Sequence, residues 1–220
     1  MLLKRAVAEL VGTAGLLAIV VGSGIMGERL SGGSSALALL VNAMATGAGL
    51  VALILTFGPI SGAHLNPLIT AAEVIGGRRT WREFVVYAAA QFVGGVVGVV
   101  LAHAMFELPL AQVSAHARAG VSQVGSEALA TFGLVGIVFG VGRTRPDATP
   151  YAVGAYITAA YWFTSSTSFA NPAVTLARSF TDTFSGIRPF DVPGFFLGQA
   201  IGASFAIALF SWFQAPKEAT

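Results

Sequence analysis

The sequence predicts an all-α membrane protein with six transmembrane helices and two re-entrant half-helices, built as an inverted repeat. Three observations predict it. Of the 220 residues, 55% are hydrophobic and 10% charged, with a mean hydropathy of +0.77, which leaves too little polar side chain to clothe a soluble globule. Apolar runs long enough to cross a ~30 Å hydrocarbon core recur along the chain. Between them, two polar stretches each pass through an Asn-Pro pair into a shorter apolar run: Ser61-Gly62-Ala63-His64-Leu65-Asn66-Pro67-Leu68 and Ser165-Ser166-Thr167-Ser168-Phe169-Ala170-Asn171-Pro172-Ala173-Val174.

The first run, residues 6–26, follows Lys4 and Arg5. It is long enough to span and more spans follow, so it reads as a transmembrane helix rather than a signal peptide. The second covers residues 36–57. Asn66 then suits the cap before a helix and Pro67 its first position, where a missing N–H loses no bond. The segment that follows, residues 68–77, reaches about 15 Å, half of the bilayer core. Residues 84–106, 124–141 and 151–167 give three more spans. A second half-helix over residues 173–182 starts from Asn171 and Pro172, and residues 192–213 close the set.

Lys4, Arg5, Arg78, Arg79, Arg82, Arg143, Arg145 and Lys217 alternate along this topology with Arg29, Arg118, Arg178 and Arg188. The larger group marks the cytoplasmic side, so both termini are expected there. These basic residues occupy short inter-helix segments rather than a patch, which speaks against a nucleic-acid partner despite a pI near 9.3.

The halves repeat. Glu9-Leu10-Val11-Gly12-Thr13 matches Glu127-Ala128-Leu129-Ala130-Thr131, Asn66-Pro67 matches Asn171-Pro172, and Gln91 with Gly94 and Gly95 matches Gln199 with Gly202 and Ala203. One transmembrane domain of two copies, about residues 1–115 and 116–220, follows. Each copy has an odd number of spans, so the second is inverted and the half-helix N-termini meet at the bilayer midplane. Many of the 27 glycines sit three or four apart inside spans and read as helix-packing positions.

Two facing helix N-termini present about half a positive charge each and repel cations and protons. The Asn66 and Asn171 amides can donate to a neutral oxygen, and the loops before them can offer carbonyls. Non-helical backbone at this depth must line a wet cavity or be buried in protein. The expected passenger is a file of small uncharged solutes or water. The bilayer itself is the other partner.

Glu9 and Glu127 are ionisable groups inside spans, a pattern that can mark an ion path. The sequence favours a structural role, with each carboxylate accepting hydrogen bonds from the re-entrant loop of its own half. His64 reads as a hydrogen-bonding wedge in a packed loop ahead of a pH sensor. The hydroxyl run from Thr164 to Ser168 is expected to place one or two residues on the pore and to spend the rest on local backbone bonds. Arg178 could supply a positive charge to an outer vestibule, but pairing with Asp182 or snorkelling is favoured. His103 and His116 have no ligand-spaced partners and the chain contains no cysteine, so no metal or other cofactor is expected. No phosphate loop or serine triad pattern points to an enzyme.

The two Asn-Pro motifs, Glu9 with Glu127 and Gln91 with Gln199, all in register, resemble the aquaporin or major intrinsic protein family over nearly the whole chain. The resemblance implies six helices and two half-helices around one pore per subunit, a homotetramer, and passive flux of water or small neutral solutes. Pro67, Leu68, Pro172 and Ala173 would join the two Asn residues at the pore midplane. Leu68 departs from the family's usual Ala. The outer constriction, read by spacing to the Asn residues, would be Thr46, Ala159, Ser168 and Val174, with Val174 where most members carry arginine. Such a wide, arginine-free filter resembles bacterial aquaglyceroporins of arsenic-resistance operons, which implies glycerol-like polyols and arsenous acid or related arsenicals as solutes and the bacterial inner membrane as location. The alternative is a secondary transporter of a small polar solute, since inverted repeats and broken helices occur there too.

Overall fold

The computed structural model describes residues 1–213, and Lys217 lies outside them. The described residues are helical apart from loops and turns. The helices are α1 (Leu2–Leu30), α2 (Ser35–Ser61), α3 (Pro67–Ile75), α4 (Trp81–Met105), α5 (Val121–Thr144), α6 (Thr149–Phe163), α7 (Pro172–Ala177) and α8 (Val192–Phe213). Five are long and apolar enough to cross a membrane: α1, α2, α4, α5 and α8, the last counted with its leading turn.

The α6 helix is the exception to the expected spans. It has 15 residues, about 22 Å at 1.5 Å per residue, and stops four residues short of the expected boundary. Its carboxyl end is closed by Thr164, whose hydroxyl donates to the Ala160 carbonyl at 2.6 Å while its backbone turns extended. A 3-10 turn, Pro146–Ala148, leads into its start. The half-helices are also shorter than expected. The α3 helix keeps nine residues, whereas α7 has six before it tightens into a 3-10 turn at Arg178–Phe180.

Glycine decides how the long helices pair. A Cβ on Gly94 would stand 2.3 Å from the Leu10 carbonyl oxygen and one on Gly98 2.2 Å from that of Ala14, so α4 lies on α1 backbone to backbone. At the matching places a Cβ on Gly202 would stand 2.0 Å from the Ala128 oxygen, and one on Gly198 2.3 Å from that of Val124. In both pairs contact positions rise together along the chain, so α1 runs parallel to α4 and α5 to α8. Gly47 and Gly154 bring α2 and α6 equally close, but here 154 meets 47 and Thr158 donates to the Ala43 carbonyl, so the two helices run antiparallel.

Direction follows from the ends. Arg5 on α1 bonds Glu83 on α4 at 2.9 Å, and Ser61, the last residue of α2, accepts from Tyr87 and Arg79 through its carbonyl. Thr149, the first residue of α6, borders the same recess as Ile54 and Gly58 of α2. Thus α5 ends on the face of the bundle where α1 begins, so it runs against α1, and α7 enters from the opposite face to α3. The apolar core, centred on Leu17, Val20 and Val21 of α1, Val99 of α4 and Val135 of α5, lies around the half-helices, while Val85, Leu129, Phe205 and other large apolar side chains point outward, as lipid-facing helices require.

Candidate functional site

Each asparagine caps its own half-helix and reaches across to the other. Asn66 Oδ1 accepts from the Leu68 N–H at 2.9 Å, and its Nδ2 donates to the Ala170 carbonyl at 2.8 Å. Asn171 Oδ1 accepts from Ala173 and Val174 at 2.9 and 3.3 Å, and its Nδ2 donates to the Leu65 carbonyl at 2.7 Å. The reciprocal pair sews the two helix N-termini together. One amide hydrogen of each Asn is spent on that seam and the second is left for the cavity beside it.

The loops that deliver these caps are held in unusual backbone. Ala63, Leu65, Ser168 and Ala170 have φ of 46°, 50°, 50° and 49°, a left-handed region costing about 1–2 kcal/mol per non-glycine residue. Buried carboxylates impose it. Glu9 accepts from Ser61 Oγ at 2.6 Å, His64 N at 3.0 Å, Leu65 N at 2.7 Å and Gln91 Nε2 at 2.8 Å. Glu127 accepts from Phe169 N and Ala170 N, both at 2.9 Å, and Gln199 Nε2 at 2.6 Å. Gln91 also reaches Thr70, and Gln199 reaches Thr175, at 3.2 and 2.8 Å. These threonines stand four residues after each Asn. The repeat carries that signal, since Thr70 and Thr175 stand at matching places in the two halves.

A single cavity of about 270 Å³ runs past this seam. At one end its wall includes Gly62, His64, Glu73, Arg79 and Thr149; Asn66 and Asn171 lie on it in the middle; Thr46, Tyr161, Ser168, Phe169, Val174 and Arg178 line the far end. Aliphatic residues such as Leu50, Leu134 and Val153 supply much of the remaining wall. His64 turns Nδ1 to Thr70 Oγ1 at 3.1 Å and sets its ring edge-on to Tyr87, with centroids 5.3 Å apart.

Five expected positions come out differently. Ala159 is exposed and absent from the cavity wall. The stripe that does face the cavity is Val153, Ile157 and Tyr161, spaced by four; Ala159 lies two residues from both Ile157 and Tyr161, about 200° round the helix and so on the far side. Tyr161 takes part instead, its hydroxyl 3.2 Å from Thr46 Oγ1. Leu68 is half-buried, packs on the apolar core and is also off the wall, where Ile69 stands in its stead. Pro67 and Ala173 are buried and Pro172 half-buried beside the seam without lining the cavity. They shape the helix starts rather than the passage.

Arg178 neither pairs with Asp182 nor snorkels. It is 1% exposed. Its Nε donates to the Ser185 carbonyl, and its Cζ lies 3.4 Å from the Phe169 ring centroid. Asp182 Oδ1 is turned to the Ala115 N–H at 2.8 Å, because the 3-10 turn at Arg178–Phe180 breaks the helical register that would align the two residues. Arg118, from the segment between α4 and α5, approaches the same ring at 5.1 Å and braces the loops through Gly186 and Ser166 carbonyls. Nearby, partial burial and then the Arg118 guanidinium pull the His116 imidazole below its usual range. The hydroxyl run divides as follows: Ser168 is on the cavity wall, Thr164 and Ser166 bond backbone, Ser165 meets Ser126, and Thr167 accepts from Arg118.

The model of the major intrinsic protein family matches residues 1–168. Aquaglyceroporin AqpS of Rhizobium meliloti (strain 1021) is 52% identical over 215 residues, which is 98% of this chain and 92% of that protein. Probable aquaporin TIP2-2 of Oryza sativa subsp. japonica is 31% identical over 218 residues, covering 93% of this chain and 84% of its own. Among solved structures, the aquaglyceroporin from Plasmodium falciparum shares the fold with a TM-score of 0.77 at 16% identity, over 98% of this chain and 97% of that one.

Proposed function

Because this chain belongs to the major intrinsic protein family, a family of channels rather than enzymes, we propose that it is a passive channel for small neutral solutes: water, glycerol-like polyols, arsenous acid and related arsenicals. The observation that carries the reading is the one cavity that passes both capping asparagines and continues from Arg79 to Arg178. A solute there meets spare amide hydrogens and an apolar wall, with helix N-termini behind the asparagines that disfavour cations. The similarity to a protein named an aquaglyceroporin supports polyols. Arsenous acid is, like glycerol, an uncharged molecule with three hydroxyls, so a passage suited to one suits the other.

Thr46, Ser168 and Val174, joined by Tyr161 in place of Ala159, form the outer constriction. Valine at position 174 leaves it without the usual arginine there and wide enough for a polyol. Glu9 and Glu127 have a structural role, since every partner they have is a donor from their own half. Among the described residues that leaves no free carboxylate at the seam for the ion coupling a secondary transporter needs. The unit is one domain of two inverted copies, about residues 1–115 and 116–220. It assembles as a homotetramer in a bacterial inner membrane with its Arg5, Arg79 and Arg143 face toward the cytoplasm.

Reconstituted vesicles in stopped-flow light scattering test this. Water, glycerol and arsenous acid should equilibrate faster than in empty vesicles, without saturation and without response to a proton gradient. Flux equal to empty vesicles would overturn the channel reading, and saturable, proton-driven flux would install a transporter instead.

A further inference from the structure

Two side chains that line the cavity's far end each hold a polar atom with no partner. Arg178 Nη1 and Ser168 Oγ are both buried and make no hydrogen bond among the described residues, although each side chain is otherwise locked. Arg178 is held by its Nε bond to the Ser185 carbonyl and by the face of Phe169. Ser168 sits on a left-handed backbone position whose N–H is tied to Ser166 Oγ at 3.2 Å. No carboxylate forms an ion pair with Arg178 among the described residues. A buried guanidinium nitrogen without a partner is costly unless something else takes the bond. Arg178 and Ser168 line the same cavity as the Thr46 and Tyr161 hydroxyls.

We propose that Arg178 is the specificity-determining cation of the outer constriction: supplied one helical turn beyond Val174, it and Ser168 Oγ receive the hydroxyl oxygens of a passing polyol. Val174 and Arg178 are four residues apart, so a guanidinium rooted at position 178 reaches the passage from the same side as a residue at 174, displaced along the helix. Phe169 keeps the plane of the guanidinium fixed, so its N–H groups are presented in one orientation. The Thr46–Tyr161 hydroxyl pair adds further donors and acceptors in the same stretch. A polyol sheds several waters on entering and regains bonds here; water, with fewer to replace, gains less.

This inference rests on the channel reading, and one experiment separates the two. Water and glycerol permeabilities are measured in vesicles holding wild type, Arg178→Gln, Arg178→Lys and Ser168→Ala, each normalised to folded protein by gel filtration. The glycerol-to-water ratio should fall about five- to tenfold in Arg178→Gln, less in Arg178→Lys, and about two- to threefold in Ser168→Ala, which leaves the arginine packing intact. A purely structural arginine would lower both permeabilities with the folded fraction and leave the ratio alone. Where Arg178→Gln does not fold, Ser168→Ala and Arg178→Lys decide. Wild-type ratios in the folded variants overturn the proposal, whereas absence of glycerol flux in wild type overturns the channel reading itself.

Discussion

Replacing Glu127 by alanine should cost folding before it touches selectivity. The carboxylate accepts from Phe169 N, Ala170 N and Gln199 Nε2 at 2.9, 2.9 and 2.6 Å and is fully buried. At about 1.5–3 kcal/mol for a hydrogen bond to a charged group, three of them put the loss near 5 kcal/mol or higher. The alanine leaves two loop N–H groups buried without acceptors. It also removes what holds Ser168 and Ala170 in left-handed backbone. For a chain of this length that corresponds to a fall of at least about 10 °C in apparent melting temperature. The assay is fluorescence-detected gel filtration of detergent extracts after a heating series, with flux per folded channel measured alongside. Glu127→Gln should fall between, because its amide keeps one acceptor oxygen and turns an NH₂ toward donors. An alanine variant that melts within about 2 °C of wild type would refute the reasoning. So would a folded variant whose flux newly responds to a proton gradient. Glu9 has four donors against three, so Glu9→Ala should be the more damaging of the pair.

Asn171→Asp keeps the cap on Ala173 but sets a carboxylate oxygen against the Leu65 carbonyl where Nδ2 now donates at 2.7 Å; it should destabilise by about 1–3 kcal/mol and admit sodium, read as tracer uptake above wild type. Ala159→Leu should leave glycerol flux within about twofold because the residue is exposed away from the cavity, whereas Ile157→Phe, on the cavity wall, should cut it at least about fivefold; equal effects would contradict the α6 orientation. Gly202→Ala forces a Cβ to 2.0 Å from the Ala128 oxygen and should lose about 3 kcal/mol or more, seen as loss of the monodisperse peak. Gly58→Ala, which meets open space, should be neutral or slightly stabilising by the same measurement.

By itself the chain determined the elements and their pairing. Long apolar runs mark membrane helices, although the length of α6 was not legible in its run, an Asn-Pro before a short run opens a half-helix, and the doubled Glu, Asn-Pro and Gln-Gly signals imply two copies because each is a local pattern. What it could not carry was which side of a helix faces the passage when both sides are apolar. Ala159 and Tyr161 both lie in an apolar run, and only the packing of α6 against α2 through Gly154 and Gly47 sends Tyr161 inward. Leu68 and Ile69 differ by one residue and were separable only once α3 was docked on the core. Arg178 shows the same limit most sharply. Four residues from Asp182, it satisfies the local rule for an ion pair, yet a 3-10 turn and the Phe169 ring, placed by contacts distant in sequence, take it into the cavity instead. Local backbone preference and the polarity pattern are written residue by residue; the facing of a side chain in an all-apolar surrounding is a property of the neighbours, and those exist only in the folded molecule.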